Sequence, residues 1–460
     1  MKPLIWKSLS ASARTAALQR PAQSAQKRTT RAVAGILALV RRGGDRALRQ
    51  ITSKFDRVQL SSLRVSPAEF AAAQKALAPA DRAALKTAYA NLRKFHLAQR
   101  TAPVRVETTP GIVCEKVTRP IERVGLYVPG GSAPLFSTAL MLGVPSQISG
   151  NPIRVLCTPP GRDGKVSPWI LCAAQLCGIT AVFKLGGAQA IAAMAYGTKS
   201  VPKCDKLIGP GNSFVTEAKL QVSRDAAGAG IDLPAGPSEV MVVADNAANP
   251  AFVAADLLSQ AEHGPDSQVI LITFSKAFAA RVETELGKQL ATLPRGSIAT
   301  EALEKSRSLI AASPAEAIAI ANRYAPEHLI LQVKDPRALL PQITTSGSVF
   351  LGAWTPESLG DYASGTNHVL PTYGWARSCS GLGLADFQRT MTVQTASELG
   401  LRKLGPVVER LALAENLAAH QRAVRVRLEV LVSGRARPLG APRFQSRPRN
   451  GGPSGPALPS

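Results

Sequence analysis

Five histidines occur in 460 residues, His96, His263, His328, His368 and His420, and the last four sit in polar, motif-like surroundings. A lone histidine is most often structural or solvated, but four in such settings point to a metal or proton-transfer site. Gln260 and His263 are three apart near the end of an expected helix, so their side chains share a face. Asp361, in Leu359-Gly360-Asp361-Tyr362, could add a carboxylate oxygen, and His420 lies on an expected C-terminal helix with Glu415 five residues before it. Nitrogen and oxygen donors suit zinc, although glutamine is an unusual ligand. These groups are scattered along the chain, and spacing alone leaves a metal site the weaker reading. Glu327-His328 is the best acid–base pair. A strand follows it, and neighbours within a strand face opposite ways, so both can serve one cavity only from the turn before that strand. Taken locally, a solvated strand start is the better reading of the pair.

The elements that must position these groups come next. Short β-rich runs at 124–128, 154–158, 181–185, 206–208, 239–244 and 268–274 alternate with helical segments that include 168–177, 188–196 and 250–263. Such alternation implies parallel sheets with right-handed crossovers. Two more strands are expected at 328–333 and 348–351, after a helix over 314–325. Residues 1 to about 120 read as mainly helical, with Pro67 opening one helix through an Ala-rich stretch, and 383–433 reads as wholly helical. Ligands of open parallel sheets gather at the carboxyl ends of strands. Three glycine-rich turns fall there: Val128-Pro129-Gly130-Gly131-Ser132, Gly186-Gly187-Ala188-Gln189 and Gly209-Pro210-Gly211-Asn212. Each leads to a helix whose free N–H groups could receive a phosphate. None is G-x-G-x-x-G, so the standard dinucleotide fingerprint is absent. Singly each turn is ordinary punctuation, and the three in register make a nucleotide site an even match for that reading.

The net charge is +24, which raises nucleic acid or an acidic membrane as partners. Its distribution argues against both. Residues 1–44 hold nine Lys/Arg and no acid, and 434–460 hold five Arg and no acid, so 14 of the 24 lie at the ends. No nucleic-acid-binding motif is present, and no apolar run reaches membrane length. The basic start superficially fits a transit peptide, but Val33, Ile36, Leu37 and Val40 recur at helical spacing and favour a folded helix. The Gly/Pro/Arg composition after Gly434 predicts a disordered tail. The six cysteines form no C-x-x-C pair, which disfavours a disulfide framework and points to the cytoplasm.

Between 124 and 431 the chain closely resembles the histidinol dehydrogenase family. The matching segments, in order, are VGLYVPGGSAPL, GGAQAIAA, IGPGNSFVTEAK, IDLPAGPSEV, LLSQAEHGPDSQ, YAPEHLI, SVFLG, GDYASGTNHVLPTYG and LAAHQRAV. Residues 30–120 are similar more weakly, with Lys54-Phe55-Asp56 in a familiar place. The resemblance implies a zinc- and NAD-dependent enzyme that oxidises L-histidinol through its aldehyde to histidine. It implies one zinc per subunit, held by Gln260, His263, Asp361 and His420, the last from the partner in a homodimer. Tyr127, Gln189 and Asn212 match NAD-contacting positions. Ser238, Gln260, His263, His328, Asp361, His368, Glu415 and His420 match substrate-binding positions, with Glu415 and His420 contributed across the interface. Glu327 and His328 match the acid–base pair. The departures are few: Phe136 stands where proline is expected and Ser213 where alanine is common.

The expected fold is therefore α/β, with two Rossmann-like parallel-sheet domains plus small helical N- and C-terminal segments. The expected division is an N-terminal helical arm over 1–25, a larger α/β domain from 26–126 with 238–382, and an NAD-binding domain over 127–237. A helical dimer-crossing segment over 383–433 and the basic tail over 434–460 complete it. Rival readings are a relative acting on another small alcohol, a cysteine-dependent aldehyde dehydrogenase, a nucleic-acid binder and an inactive homologue. Substrate positions His368 and Glu415 are filled, no cysteine has a neighbouring histidine, and every proposed catalytic and metal position is occupied by a competent residue.

Overall fold

The computed structural model describes residues 1, 3–21, 26–130, 135–233 and 236–433. They divide into two compact units, 1–101 with 119–389, and 102–118 with the chain from 390 onward. The first unit holds both expected parallel sheets. One has five strands in the order Ala181–Lys184, Ile153–Thr158, Arg123–Tyr127, Lys206–Ile208, Gly230–Ile231. The other has six, in the order Pro3–Ile5, Arg307–Ile310, Gln268–Thr273, Glu239–Ala244, His328–Gln332, Ser348–Leu351. Every described pairing within the two sheets is parallel.

Parallel strands with helices on both faces need apolar residues at every position, and the central strands supply them. In Glu239–Ala244, Val240 and Val242 join one core cluster with Leu257 and Phe278. Met241 and Val243 join the opposite cluster with Ile318 and Tyr324. That alternation is the period of two of a strand buried on both sides. In the smaller sheet, Leu126 and Leu156 face one cluster, and Tyr127 and Phe183 face the other.

The terminal and N-terminal segments depart from expectation. The arm over 1–25 is not simply helical, because Pro3–Ile5 pairs with Arg307–Ile310 at the edge of the six-stranded sheet; residues 22–25 lie outside the described chain. The helix carrying Val33, Leu37 and Val40 does form, over Gln26–Phe55, with a break at Gly44. Pro67 opens a helix that ends at Ala76, and Pro79 opens a second one to Leu97. These helices pack on the five-stranded sheet, and the Pro79–Leu97 helix also meets 238–382, where Leu92 shares a cluster with Val369 and Leu382 and Asn91 donates to the Ala363 carbonyl. Arg123–Tyr127 lies inside that same sheet, so its first strand starts before 127. The smaller sheet recruits Leu37 and Leu48 on one face and Leu85 and Leu92 on the other, while the larger sheet adds Trp6, Ala17 and Leu18 of the N-terminal segment to its own helices.

Within the second unit, the stretch read as helical before 120 forms Val104–Thr109 and Ile112–Pro120, paired antiparallel around Gly111 at φ 90°. The segment read as wholly helical after 383 contains the strand Gln388–Ala396, which joins the same sheet. Both stretches are rich in Val and Thr, which favour a pleated backbone. The helices Glu398–Ala414 and Ala418–Val432 follow. The tail expected to be disordered, 434–460, lies outside the described residues. Among the described residues no helix is long and apolar enough to cross a membrane.

One buried ion pair ties the Gly209 turn to its helix. Lys219, 3% exposed, pairs with Asp232 and donates to the carbonyls of Gly209 (2.9 Å) and Leu233 (3.3 Å). Asp232 in turn accepts from the Gly209 N–H at 2.8 Å. Breaking one partner leaves an uncompensated buried charge, so Lys219→Met is expected to destabilise the fold by about 3–5 kcal/mol. Urea unfolding monitored by circular dichroism measures this, and a shift well under 1 kcal/mol would show the pair to be dispensable.

Candidate active site

The two sheets present opposite ends to one cavity of about 570 Å³ in the first unit. The five-stranded sheet offers its carboxyl ends, as expected for open parallel sheets. Arg123–Tyr127 and Lys206–Ile208 are neighbours here although Ile153–Thr158 and Ala181–Lys184 intervene in sequence, so the strand order reverses between them. Tyr127, Gly130, Gly211 and Asn212 line the cavity from that side. The six-stranded sheet instead offers its amino ends. Ser238 precedes one strand and Glu327 the next, and His328 lies in register with Val240. The sequence reading put the glycine-rich turns at carboxyl ends and allowed Glu327-His328 to serve a cavity only from the turn before its strand; strand starts, whose N–H and C=O groups also reach beyond the sheet, serve equally here.

Glu327 and His328 therefore sit at the junction between turn and strand, and both line the cavity while only 5% and 3% exposed. The Glu239 N–H donates to Glu327 Oε2 at 2.9 Å. His328 Nδ1 lies 3.3 Å from the Glu239 carbonyl oxygen, and 3.7 and 3.9 Å from carboxylate oxygens of Glu327 and Glu357. Its Nε2 is 3.5 Å from Asp361 Oδ1 and makes no hydrogen bond. Burial pushes the Glu327 carboxyl up to about 8, against the lowering effects of His328 and of the Glu239 N–H. Burial alone would depress His328, but the carboxylates of Glu357, Glu327 and Asp361 outweigh it and raise the imidazole. Burial holds His368 down at about 4, and its Nε2 lies 3.5 Å from the Thr138 hydroxyl.

Gln260 ends its helix, Pro250–Ala261, completely buried, and neither its amide oxygen nor its nitrogen has a hydrogen-bond partner. His263 follows the helix and is exposed. Asp361 lies on the short helix Glu357–Tyr362, four residues after Glu357 and so on the same face. One donor atom each from His263, Glu357 and Asp361 falls within 4.8 Å of the others. Glu357 escaped the sequence reading, because a carboxylate in a six-residue helix carries no periodicity to flag it. It is 1% exposed, with both carboxylate oxygens lacking a hydrogen-bond partner.

Tyr127, Asn212, Ser238, Gln260, His263, Glu327, His328, Asp361 and His368 thus converge on one cavity. Gln189 is not among its lining residues; it is buried on the helix Gly187–Tyr196, whose first N–H donates to the Tyr127 hydroxyl at 3.0 Å. Asn212 caps its helix, accepting from the N–H groups of Phe214 and Val215. The turn at 128–132 is described only as far as Gly130. Glu415 and His420 belong to the second unit, where both are exposed. None of the six cysteines lines the cavity. Burial pushes the Cys177 and Cys204 thiols to about 12, which removes the thiolate that a cysteine nucleophile requires.

This arrangement matches known proteins along nearly its whole length. The histidinol dehydrogenase family profile fits residues 18–428. The chain is 59% identical over 430 residues to the histidinol dehydrogenase of Xanthomonas campestris pv. campestris strain 8004, covering 94% of this chain and 100% of that one. It is 56% identical over 431 residues to that of Photobacterium profundum, covering 94% and 96%. The crystal structure of histidinol dehydrogenase from Elizabethkingia anophelis superposes with a TM-score of 0.90 at 46% identity, covering 94% of this chain and 99% of that one. The chain belongs to the histidinol dehydrogenase family, and it is an oxidoreductase that oxidises L-histidinol in histidine biosynthesis.

Proposed function

We propose that this cavity carries L-histidinol to L-histidine in two successive NAD-linked oxidations, with a zinc ion held by Gln260, His263, Asp361 and His420 of the partner subunit. The observation that carries the zinc reading is the Gln260 amide. It is fully buried with no protein partner, beside two residues whose donor atoms converge, and a buried polar group left unsatisfied calls for a bound group. Bound there, zinc supplies an electrophilic anchor for nitrogen atoms of the substrate and so fixes its orientation. Tyr127, Gln189 and Asn212 bind NAD, and Ser238, His328, His368 and Glu415 of the partner subunit complete the substrate pocket.

The chain's own residues then manage protons. His328 accepts the hydroxyl proton through Nε2, the ring nitrogen without a hydrogen bond, as the carbinol carbon gives hydride to NAD. Glu327 takes a proton from the water that adds to the aldehyde, and the hydrate loses a second hydride to a second NAD. Both steps use one cavity, so the aldehyde is not released. Six unpaired cysteines fit a reducing compartment, and we assign the protein to the cytoplasm.

The homodimer reading is supported by the surface of the second unit. Its two helices expose Leu411, Leu417, Val430 and Val432, an apolar face of the kind that marks an association surface. His420 and Glu415 are exposed on the same helical pair, where a partner's cavity could use them.

The direct experiment follows NADH at 340 nm with purified protein, L-histidinol and NAD. About two NADH per histidinol, lost on chelation and regained with zinc, are expected. No turnover by folded, zinc-loaded protein would sink the reading. The raised Glu327 carboxyl must be ionised to accept a proton, so kcat is expected to fall as pH drops below about 8 and to level off above it. Glu327→Gln should abolish that limb and lower kcat roughly 10²–10⁴-fold; an unchanged pH profile in the variant would assign the limb to another group. Sharing of sites between subunits is tested by mixing two inactive variants, Glu327→Gln and His420→Ala, under subunit exchange. Each heterodimer then holds one intact site, so about a quarter of native activity should return, and no recovery would count against a shared site.

A further inference from the structure

The acid–base pair is not held by its own neighbours but by one residue of the adjacent strand. Glu239 opens the central strand of the six-stranded sheet and is 1% exposed. Its N–H binds Glu327 Oε2 at 2.9 Å, and its carbonyl oxygen faces His328 Nδ1 at 3.3 Å. A proton on Nδ1 directed at that carbonyl leaves Nε2 as the accepting nitrogen. The bond to Oε2 likewise leaves Glu327 Oε1 for other chemistry. The orientation of the two peptides that flank the Glu239 Cα therefore decides where both groups aim.

That orientation is fixed through the Glu239 side chain. Arg20 donates from Nε to Oε2 at 2.6 Å and from Nη2 to Oε1 at 2.9 Å, a bidentate pair. Tyr324 donates its hydroxyl to Oε2 at 2.7 Å, and the Tyr373 N–H reaches Oε1 at 2.8 Å. Arg20 Nη2 also donates to the carbonyls of Tyr324 (2.9 Å) and Ala325 (3.3 Å), three and two residues before Glu327. Its guanidinium lies over the Tyr324 ring at 3.9 Å. One planar group thus grips both Glu239 and the turn that delivers Glu327. Arg20 comes from the N-terminal segment, far in sequence from either, and its next neighbour, Pro21, lines the cavity.

We propose that Arg20 is a positioning residue for the oxidation, setting the aim of Glu327 and His328 through the Glu239 carboxylate and the Tyr324–Ala325 carbonyls. The inference rests on the reading of Glu327 and His328 as the acid–base pair. Lysine offers a point charge in place of a fork and cannot reproduce the two-pronged grip. Misplacing reacting groups by about 1 Å costs on the order of 10²-fold in rate, and the hydrogen bonds of Arg20 go to Glu239, Tyr324 and Ala325, none of them a proposed NAD or zinc position.

The test compares Arg20→Lys and Arg20→Ala with native enzyme and with Glu327→Gln, reading kcat, KM for L-histidinol and for NAD, zinc content and thermal unfolding. Arg20→Lys is expected to keep its zinc and both KM values within about threefold while kcat falls roughly 10–100-fold. Millimolar guanidinium should restore part of the loss in Arg20→Ala. Should Arg20→Ala not fold, Tyr324→Phe, which removes one donor to Glu239 and keeps the ion pair, should lower kcat more mildly at unchanged KM. A lowered melting temperature with native kcat would make Arg20 a purely structural residue and overturn the proposal, as would loss of zinc in step with kcat. If Glu327→Gln turns over normally, the acid–base reading fails and this inference falls with it. If Glu327→Gln is inactive but Arg20→Lys is not impaired, only this inference fails.

Discussion

The hydrogen bond from the Glu239 peptide N–H to the Glu327 carboxylate, buried at the amino ends of two adjacent parallel strands, is the contact on which the site's geometry turns. It exists because His328 is in register with Val240, which places the residues just before each, Glu239 and Glu327, side by side. A register slip of one residue would send the two side chains to opposite faces. Continuous apolar strands give no alternation to resist such a slip, so polar groups at the strand starts must specify the pairing. The buried Glu239, Tyr324 and Gln268 do this together, since the single Tyr324 hydroxyl proton lies between acceptor oxygens of Glu239 and Gln268, 2.7 and 2.8 Å away.

The two sheets use the same architecture with opposite ends. The smaller one opens onto the cavity at the place where doubly wound sheets bind ligands, where the strand order reverses and glycine turns bring the backbone close. Gly209 illustrates the constraint. At φ 133° it passes so near the Tyr127 carbonyl that a Cβ would collide with it. The larger sheet contributes strand starts, where the Glu239 N–H and C=O groups meet the Glu327 and His328 side chains directly. Strand starts hold groups rigidly while leaving the carboxyl ends free, and a proton-transfer pair benefits more from rigidity than from loop variability.

The parallel sheets were legible in the sequence because strand–helix alternation is periodic. Gln260, His263, Asp361, Glu327 and His328 came together only through the family resemblance, since residues scattered along the chain carry no spacing that joins them. Three things were legible in neither way. The strands Val104–Thr109 and Gln388–Ala396 are mostly exposed and carry few apolar residues, so neighbouring helices dominated their reading. Glu357 lies in a six-residue helix, too short to declare a face. Arg20 and Glu239 are 219 residues apart in sequence, and only tertiary pairing gives the arginine a meaning beyond the general excess of positive charge.

That last point bears on why this cavity tolerates its acids. Glu327, Glu357 and Asp361 crowd around one imidazole with little solvent to screen them. Burial drives the Glu357 carboxyl well above the carboxylate range, and Asp361 and Glu327 reinforce the rise against the lowering effect of His328. Such an assembly is unfavourable unless protons or a cation neutralise it. Protons would neutralise it but would disable a base. A divalent cation at Gln260, His263 and Asp361 would relieve the repulsion and leave Glu327 and His328 free to exchange protons. Gln260 is fully buried while His263 is exposed, so this donor set is closed on one side and open on the other. On the proposed zinc reading, the open side is where substrate and a fourth donor would enter.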